Sequence, residues 1–293
     1  MTYEWFIIAV LLLINLFCLC RCVNKTDGFN SSMIKKLSRY DGRMPGTLAH
    51  YNSYLFLLDR VKTLNNIIEV PWARDYTQPY THKGVAHQNI VFAIKGRNSS
   101  SGKNIIIMAH YDHIGPGFPG SNDNGSGVYG LLCVAKHMSV SSLTKTPKYN
   151  IIFALTDGEE KDQSGSAILS ELLGSGNIVI NIDTIGGYPS ESPIFIANDH
   201  NFVEYFRMRA IKNNLNIKLI PIMPGRSDIN NFIHDRTNTC VEFGFPLGEY
   251  HTHLDTYENL NVGNMNIIID LAIGLVEHIS YPPAHARPDP SDL

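Results

Sequence analysis

Three short, largely apolar runs, at residues 105–109, 150–155 and 177–182, limit what this chain can fold into more than any other feature. Lacking polar alternation, such runs read as strands buried on both faces, the pattern of parallel strands in an α/β sheet. All three stop at residues with ionisable side chains. The first gives way to His110, Asp112 and His113, the second to Asp157, Glu159 and Glu160, the third to Asp183. Ligands and catalytic groups in open α/β sheets gather at the carboxyl ends of strands. A histidine at a strand end is more often a satisfied loop residue than a ligand, and a lone Glu-Glu pair is more often a solvated acidic turn. Carboxylates after three successive runs weigh against both bland readings.

Between the first two runs lies a Gly/Pro-rich turn, then Asp123, then small and apolar residues from Gly125 to Met138 that suit a helix packed on a sheet. Imidazole and carboxylate delivered by one strand-loop-helix unit match the donor preference of a borderline cation such as zinc. Glu159 and Glu160 repel each other unless a cation or a proton separates their roles.

Elsewhere, apolar residues recurring at helical spacing from Leu48 to Val61 predict an amphipathic helix over 47–63. Strands are expected at 65–71 and 88–95, with 98–103 as a hairpin tip before the run at 105. Downstream, 193–197, 215–221 and 239–242 read as strands, and 201–214 and 262–279 as helices. Alternation of strands and helices without a composition break favours one α/β domain, and 293 residues at 44% hydrophobic content can bury its core. A formal net charge of -3 and the lack of a long Lys/Arg run give no reason to expect nucleic acid as a partner.

Residues 5–20 carry no charge. They fall short of the ~20 residues that a spanning helix wants, and fit a cleaved secretory signal, with a membrane anchor as the alternative. Residues 1–22 are thus expected to be a signal or anchor, 23–42 a polar linker, 43–281 the catalytic domain, and the proline-rich 282–293 a disordered tail. Glycosylation triplets at Asn24, Asn30 and Asn98 fit a secreted or secretory-lumen protein; a fourth, at Asn124, lies within the candidate site and is not expected to carry sugar. Cys133 and Cys240 are the cysteines outside the first segment, so at most one disulfide can form there, and Cys133 reads as a buried thiol.

In order, His110-x-Asp112, Asp123 with Asn-x-Ser-Gly, Glu159-Glu160 with Ser-Gly-Ser, Asn181-x-Asp183 and His251-Thr-x-x-Asp255 resemble the co-catalytic zinc peptidases of family M28, which include bacterial leucyl aminopeptidases. Gly42-Arg43-Met-Pro-Gly-Thr47 resembles the start of that family's domain. The resemblance implies an α/β/α sandwich around a mixed, mostly parallel sheet, two zinc ions per chain, and peptides as substrates. It also implies that Asp123 bridges the ions, that His110 and Asp183 complete one site, and that Glu160 and His251 complete the other. Asp112 would orient His110, and Glu159 would be the general base. His113 stands where relatives often carry a small residue and His253 where they usually carry proline; both read most simply as exposed loop histidines, with tuning of the metal site or contact with substrate as the alternative for either. Asp228 lacks the histidine that normally follows it, which leaves its role in doubt. The expected activity is removal of N-terminal residues from peptides. The alternative is glutaminyl cyclisation on the same fold, against which Tyr250 stands where such cyclases carry tryptophan.

Overall fold

The computed structural model describes residues 30–39, 42–187, 194–213, 218–221, 227–244 and 249–282. An eight-stranded sheet forms its centre, with strand order β1-β2-β4-β3-β5-β8-β6-β7. These are β1 (Thr77–His82), β2 (Val85–Ile94), β3 (Asn104–His110), β4 (Asn150–Thr156), β5 (Ile178–Ile182), β6 (Ile194–Ala197), β7 (Lys218–Pro221) and β8 (Thr239–Gly244). The three apolar runs become β3, β4 and β5, mutually parallel at the middle, and β8 continues the parallel set. Antiparallel pairings join β1 to β2, β2 to β4 and β8 to β6, so the sheet is mixed.

Strand geometry explains why β3 is apolar from Ile105 to Ala109. Successive side chains point to opposite faces. Ile105, Ile107 and Ala109 enter one core with Leu131, Val134 and Ile269, while Ile106 and Met108 enter a second with Leu169, Val179 and Phe232. Helices α2 (Leu48–Lys62), α3 (Gly127–Ser141) and α8 (Val262–Ser280) cover the first face; α5 (Ser164–Leu173) and α7 (Asn230–Ile233) cover the second. This is the expected α/β/α sandwich. The remaining helices are α1 (Ser32–Leu37), α4 (Glu159–Asp162) and α6 (His200–Asn213). By length and composition α8 could cross a membrane, but Met265, Ile268, Ile269, Ala272 and Val276 are buried in the core, which accounts for its apolar character. Cys133 and Cys240 are both free and buried.

Four local expectations differ from the structure. Part of the stretch read as a linker is α1, whose Met33, Ile34 and Leu37 are buried, an apolar face too short to stand out from its polar surroundings. Within 65–71 only Ile68 pairs, as an isolated bridge to Ala93. Strand β1 escaped the pattern because it holds Pro79 and is mostly exposed or half-exposed; its turn to β2 uses Lys83 and Gly84, both at positive φ as a tight hairpin turn requires. Residues 98–103 are no hairpin tip, because β4 lies between β2 and β3 and pairs with both. Residues 1–29 and 283–293, with Pro193, 215–217, Gly225, Arg226 and Pro246, lie outside the described residues, so the expected signal or anchor and most of the tail fall there.

Candidate metal centre

Parallel register sets the site. His110 is the last residue of β3 and pairs with Thr156 at the end of β4, while Asp183 follows the last residue of β5. Asp123 reaches the same edge on the turn Ser121–Ser126 that leads into α3. Several groups tie that turn down. The Asp255 carboxylate accepts from the backbone N–H of Asn122 at 2.6 Å and of Asp123 at 3.0 Å. Asn124, after a cis peptide bond, donates to Ile182 O at 2.9 Å and accepts from Gly127 N–H at 2.8 Å. Gly127 must be glycine, since a Cβ there would lie 2.1 Å from Asn124 Oδ1 and 2.2 Å from Ile182 O. Arg43, fully buried, donates to Tyr111 O at 2.8 Å, Pro119 O at 3.0 Å and Gly120 O at 2.9 Å, clamping both ends of the loop between β3 and Asp123.

Two groups of side chains that could hold a metal ion result, and they share one residue. His110, Asp123 and Asp183 form the first; His110 Nε2 lies 3.3 Å from Asp123 Oδ1 and 3.5 Å from Asp183 Oδ1. His113, Asp123, Glu160 and His251 form the second; His251 Nε2 lies 3.2 Å from Asp123 Oδ2 and 2.8 Å from Glu160 Oε2. Asp123 thus turns one oxygen to each group.

The donor set fits cations. Asp123 Oδ2 and Asp183 Oδ1 are buried without hydrogen-bond partners among the described residues, and buried acceptors are rarely left so. Burial opposes the charged form of Asp123, yet the His110 and His251 rings outweigh it and hold its carboxyl far below the usual range. Burial also opposes the charged form of His110, and the neighbouring Asp183 and Glu159 carboxylates raise it well above the ordinary value. For His251 the same opposition is outweighed by Asp123 and Glu160, taking it to about 9. Burial pushes Glu159 up to about 10, with Asp228, Asp183 and Asp112 adding to the shift.

All seven residues predicted for the site converge. Asp112 is buried and its carboxylate accepts from the N–H groups of Glu159 at 3.1 Å and Glu160 at 3.3 Å. Its Oδ1 stands 3.7 Å from His110 Nδ1, beyond hydrogen-bond length. His113 corrects the sequence reading. It is fully buried rather than exposed, drawn inward as its N–H donates to Arg43 O at 3.2 Å, with Nδ1 2.8 Å from Glu160 Oε1. His253 is exposed as expected. Asp228 is buried behind the centre and accepts from Thr156 Oγ1. The sequence reading assigned no task to Arg43, Asn124 or Asp255, although all three stand in motifs it quoted. It also missed a buried network in which Asp157 meets His50 Nε2 at 2.9 Å and Gln88 N–H at 2.8 Å, fixing the turn that presents Glu159. Asn124 is fully buried with its amide engaged, which leaves no room for a sugar. A shallow cleft borders the centre, with Asp123, Thr184, Tyr250 and Leu254 on its walls.

Fold and site together describe an α/β protein built to gather metal-binding side chains at its strand ends. The sequence profile of peptidase family M28 matches residues 89–276, more than half of the chain. The chain belongs to peptidase family M28. It is similar to a vacuolar membrane protease of Clavispora lusitaniae, 24% identical over 204 residues, which are 66% of this chain and 19% of that protein. It therefore spans about a fifth of the length of the curated relatives it matches. Among solved structures, the LapA aminopeptidase of Legionella pneumophila superposes with a TM-score of 0.71 at 15% identity, over 87% of this chain and 72% of that one. The zinc aminopeptidase BSAP of Bacillus subtilis gives 0.58 at 23% identity, over 68% and 51%. A glutaminyl cyclase of Bacteroides thetaiotaomicron gives 0.62 at 17% identity, over 87% and 97%.

Proposed function

We propose that this chain is a two-zinc aminopeptidase. The observation that carries the reading is Asp123, whose two carboxylate oxygens face two different groups of donors. In this assignment Asp123 would be shared by the two ions, with His110 and Asp183 completing one site and Glu160 and His251 the other. That leaves each ion three protein ligands and room for water and substrate. Two zinc ions would polarise a scissile carbonyl, lower the pKa of a water and offset the charge of the buried carboxylates.

The chain's own residues do the rest. Glu159, presented by the Asp157-anchored turn, takes the proton from the attacking water and passes it to the leaving amine. Asp112 holds Glu159 and Glu160 in place through their backbone N–H groups and faces His110 from behind. In this reading the peptide approaches over the shallow cleft between Thr184 and Tyr250, which borders Asp123. Membrane attachment through residues 5–20 gains support from the relatives named vacuolar membrane proteases; secretion after cleavage of that segment is the alternative.

Cyclisation of N-terminal glutamine is the second reading, favoured by the likeness to a glutaminyl cyclase over nearly the whole of that chain. Two peptides separate the readings, one beginning with leucine and one with glutamine, incubated with zinc-loaded protein and followed by mass spectrometry with and without chelator. Chelator-sensitive release of leucine is expected. Loss of ammonia from the glutamine peptide without cleavage would overturn the peptidase reading in favour of the cyclase.

A further inference from the structure

The ligand set proposed above gives His113 no task, yet the ring is fully buried and held from several sides. Its backbone N–H donates to Arg43 O, and it meets the His251 ring edge-on with centroids 5.8 Å apart. Gly120 crowds its Cδ2 so closely that a Cβ there would sit 2.8 Å away. The ring cannot swing out.

Glu160 meets its two histidines with different oxygens. Oε2 faces His251 Nε2 at 2.8 Å, on the side of Asp123 Oδ2, while Oε1 faces His113 Nδ1 at 2.8 Å. His113 Nε2 has no hydrogen-bond partner among the described residues, so the polar contact of this ring is with Glu160. A carboxylate with both oxygens free can bind an ion through one or two of them and rotate between the modes. One whose second oxygen accepts a hydrogen bond is biased toward binding through the other oxygen alone.

Resting on the two-zinc reading, we propose that His113 is a positioning residue: as the Nδ1–H tautomer it donates to Glu160 Oε1 and leaves Oε2 as the single oxygen Glu160 offers to the ion shared with Asp123 and His251. The other ion, between Asp123, His110 and Asp183, has no contact with His113. The two sites therefore differ in how firmly their carboxylates are held, and removing the imidazole should weaken one of them alone. Outer-shell partners of this kind are worth about 10- to 100-fold in metal affinity.

The test is zinc binding to metal-free protein by competition with a colorimetric chelator, for the wild type, His113→Leu and His113→Asn. Asparagine can place an amide N–H near the position of Nδ1; leucine cannot. The expected result is two zinc ions in the wild type, one of them bound about 10- to 100-fold more weakly in His113→Leu, and most of that loss restored in His113→Asn. Unchanged affinities in His113→Leu would overturn the proposal. So would a His113→Asn protein as weak as His113→Leu, which would make His113 itself a ligand. If His113→Leu does not fold, ¹⁵N NMR of the histidine rings in zinc-loaded wild type decides the matter: a protonated Nδ1 with neither nitrogen shifted by metal is expected, and a metal-shifted His113 nitrogen overturns the assignment. A wild type that binds fewer than two zinc ions contradicts the two-zinc reading instead, and shows this before any variant is made.

Discussion

Replacing Arg43 by lysine tests how the centre is held, because it keeps the charge and removes the fork. The guanidinium makes three short hydrogen bonds, to Tyr111 O, Pro119 O and Gly120 O, and a longer one of 3.4 Å to Asp123 O. A lysine ammonium is a point donor and can serve one of those directions well, so two bonds are lost. Hydrogen bonds from charged donors contribute about 1.5 to 3 kcal/mol each, which gives about 3 to 6 kcal/mol. Water that follows the shorter head group into the loop recovers part of this, so about 3 kcal/mol is expected. For a domain of this size, that lowers the melting temperature by about 6 to 12 °C. The same carbonyls flank Asp123, so zinc should also be lost to a competing chelator more readily, and from both sites together. Differential scanning calorimetry of the zinc-loaded and metal-free forms, with the chelator titration, reads both effects. A melting temperature within about 2 °C of wild type, or weaker zinc binding at one site alone, would refute the clamp argument.

Other outcomes follow from the same geometry. Glu159→Gln should lower turnover by about 100- to 10,000-fold while zinc content stays at the wild-type level, measured by metal analysis and a leucyl-peptide assay; retained turnover removes Glu159 from the base role. Asp255→Ala removes the acceptor of two backbone N–H groups beside Asp123 and should weaken both zinc sites, whereas a loss confined to one site would contradict its placement beneath the bridge. Metal-free protein should be more stable at pH 5 than at pH 8. Burial raises the carboxyls of Asp228 to about 6 and of Glu242 to about 7, so the folded chain binds more protons than the unfolded chain between about pH 4 and 7, and the stability this confers is lost as pH rises through that window. His251, raised to about 9, extends the loss upward. For Asp228 alone, moving from 3.8 to about 6 corresponds to about 3 kcal/mol. Asp123 and Glu160 act oppositely, but their contribution disappears only on acidification below their ordinary range. Thermal melts with and without zinc check this; a metal-free protein more stable at pH 8 than at pH 5 would contradict it.

Much of this molecule was legible because a strand buried on both faces must be apolar and must then stop. The runs at β3, β4 and β5 announce themselves, and parallel register carries their ends to one edge, so His110, Glu159, Glu160 and Asp183 could be placed from sequence. Asp123 and His251 rested on motif resemblance, and the turn that carries Asp123 depends on Asn124 and Asp255, contacts spanning 58 and 132 residues that no local pattern encodes. His113 was misjudged for a related reason. A polar residue in a Gly/Pro-rich loop is exposed by default, and the contacts that draw this loop inward, from the Arg43 carbonyl to His113 N–H and from the Arg43 guanidinium to the loop's carbonyls, come from a residue 70 positions away in sequence from His113. Strand β1, with a proline and a mostly exposed face, shows how weak the pattern becomes at a sheet edge.

The central claim is that one carboxylate serves two ions. The direct measurement is diffraction from zinc-loaded crystals at the zinc absorption edge, with an anomalous difference map. Two peaks about 3.5 to 4 Å apart are predicted, one beside each oxygen of Asp123, the first near His110 and Asp183 and the second near Glu160 and His251. A single peak, or two peaks without Asp123 between them, would contradict the account.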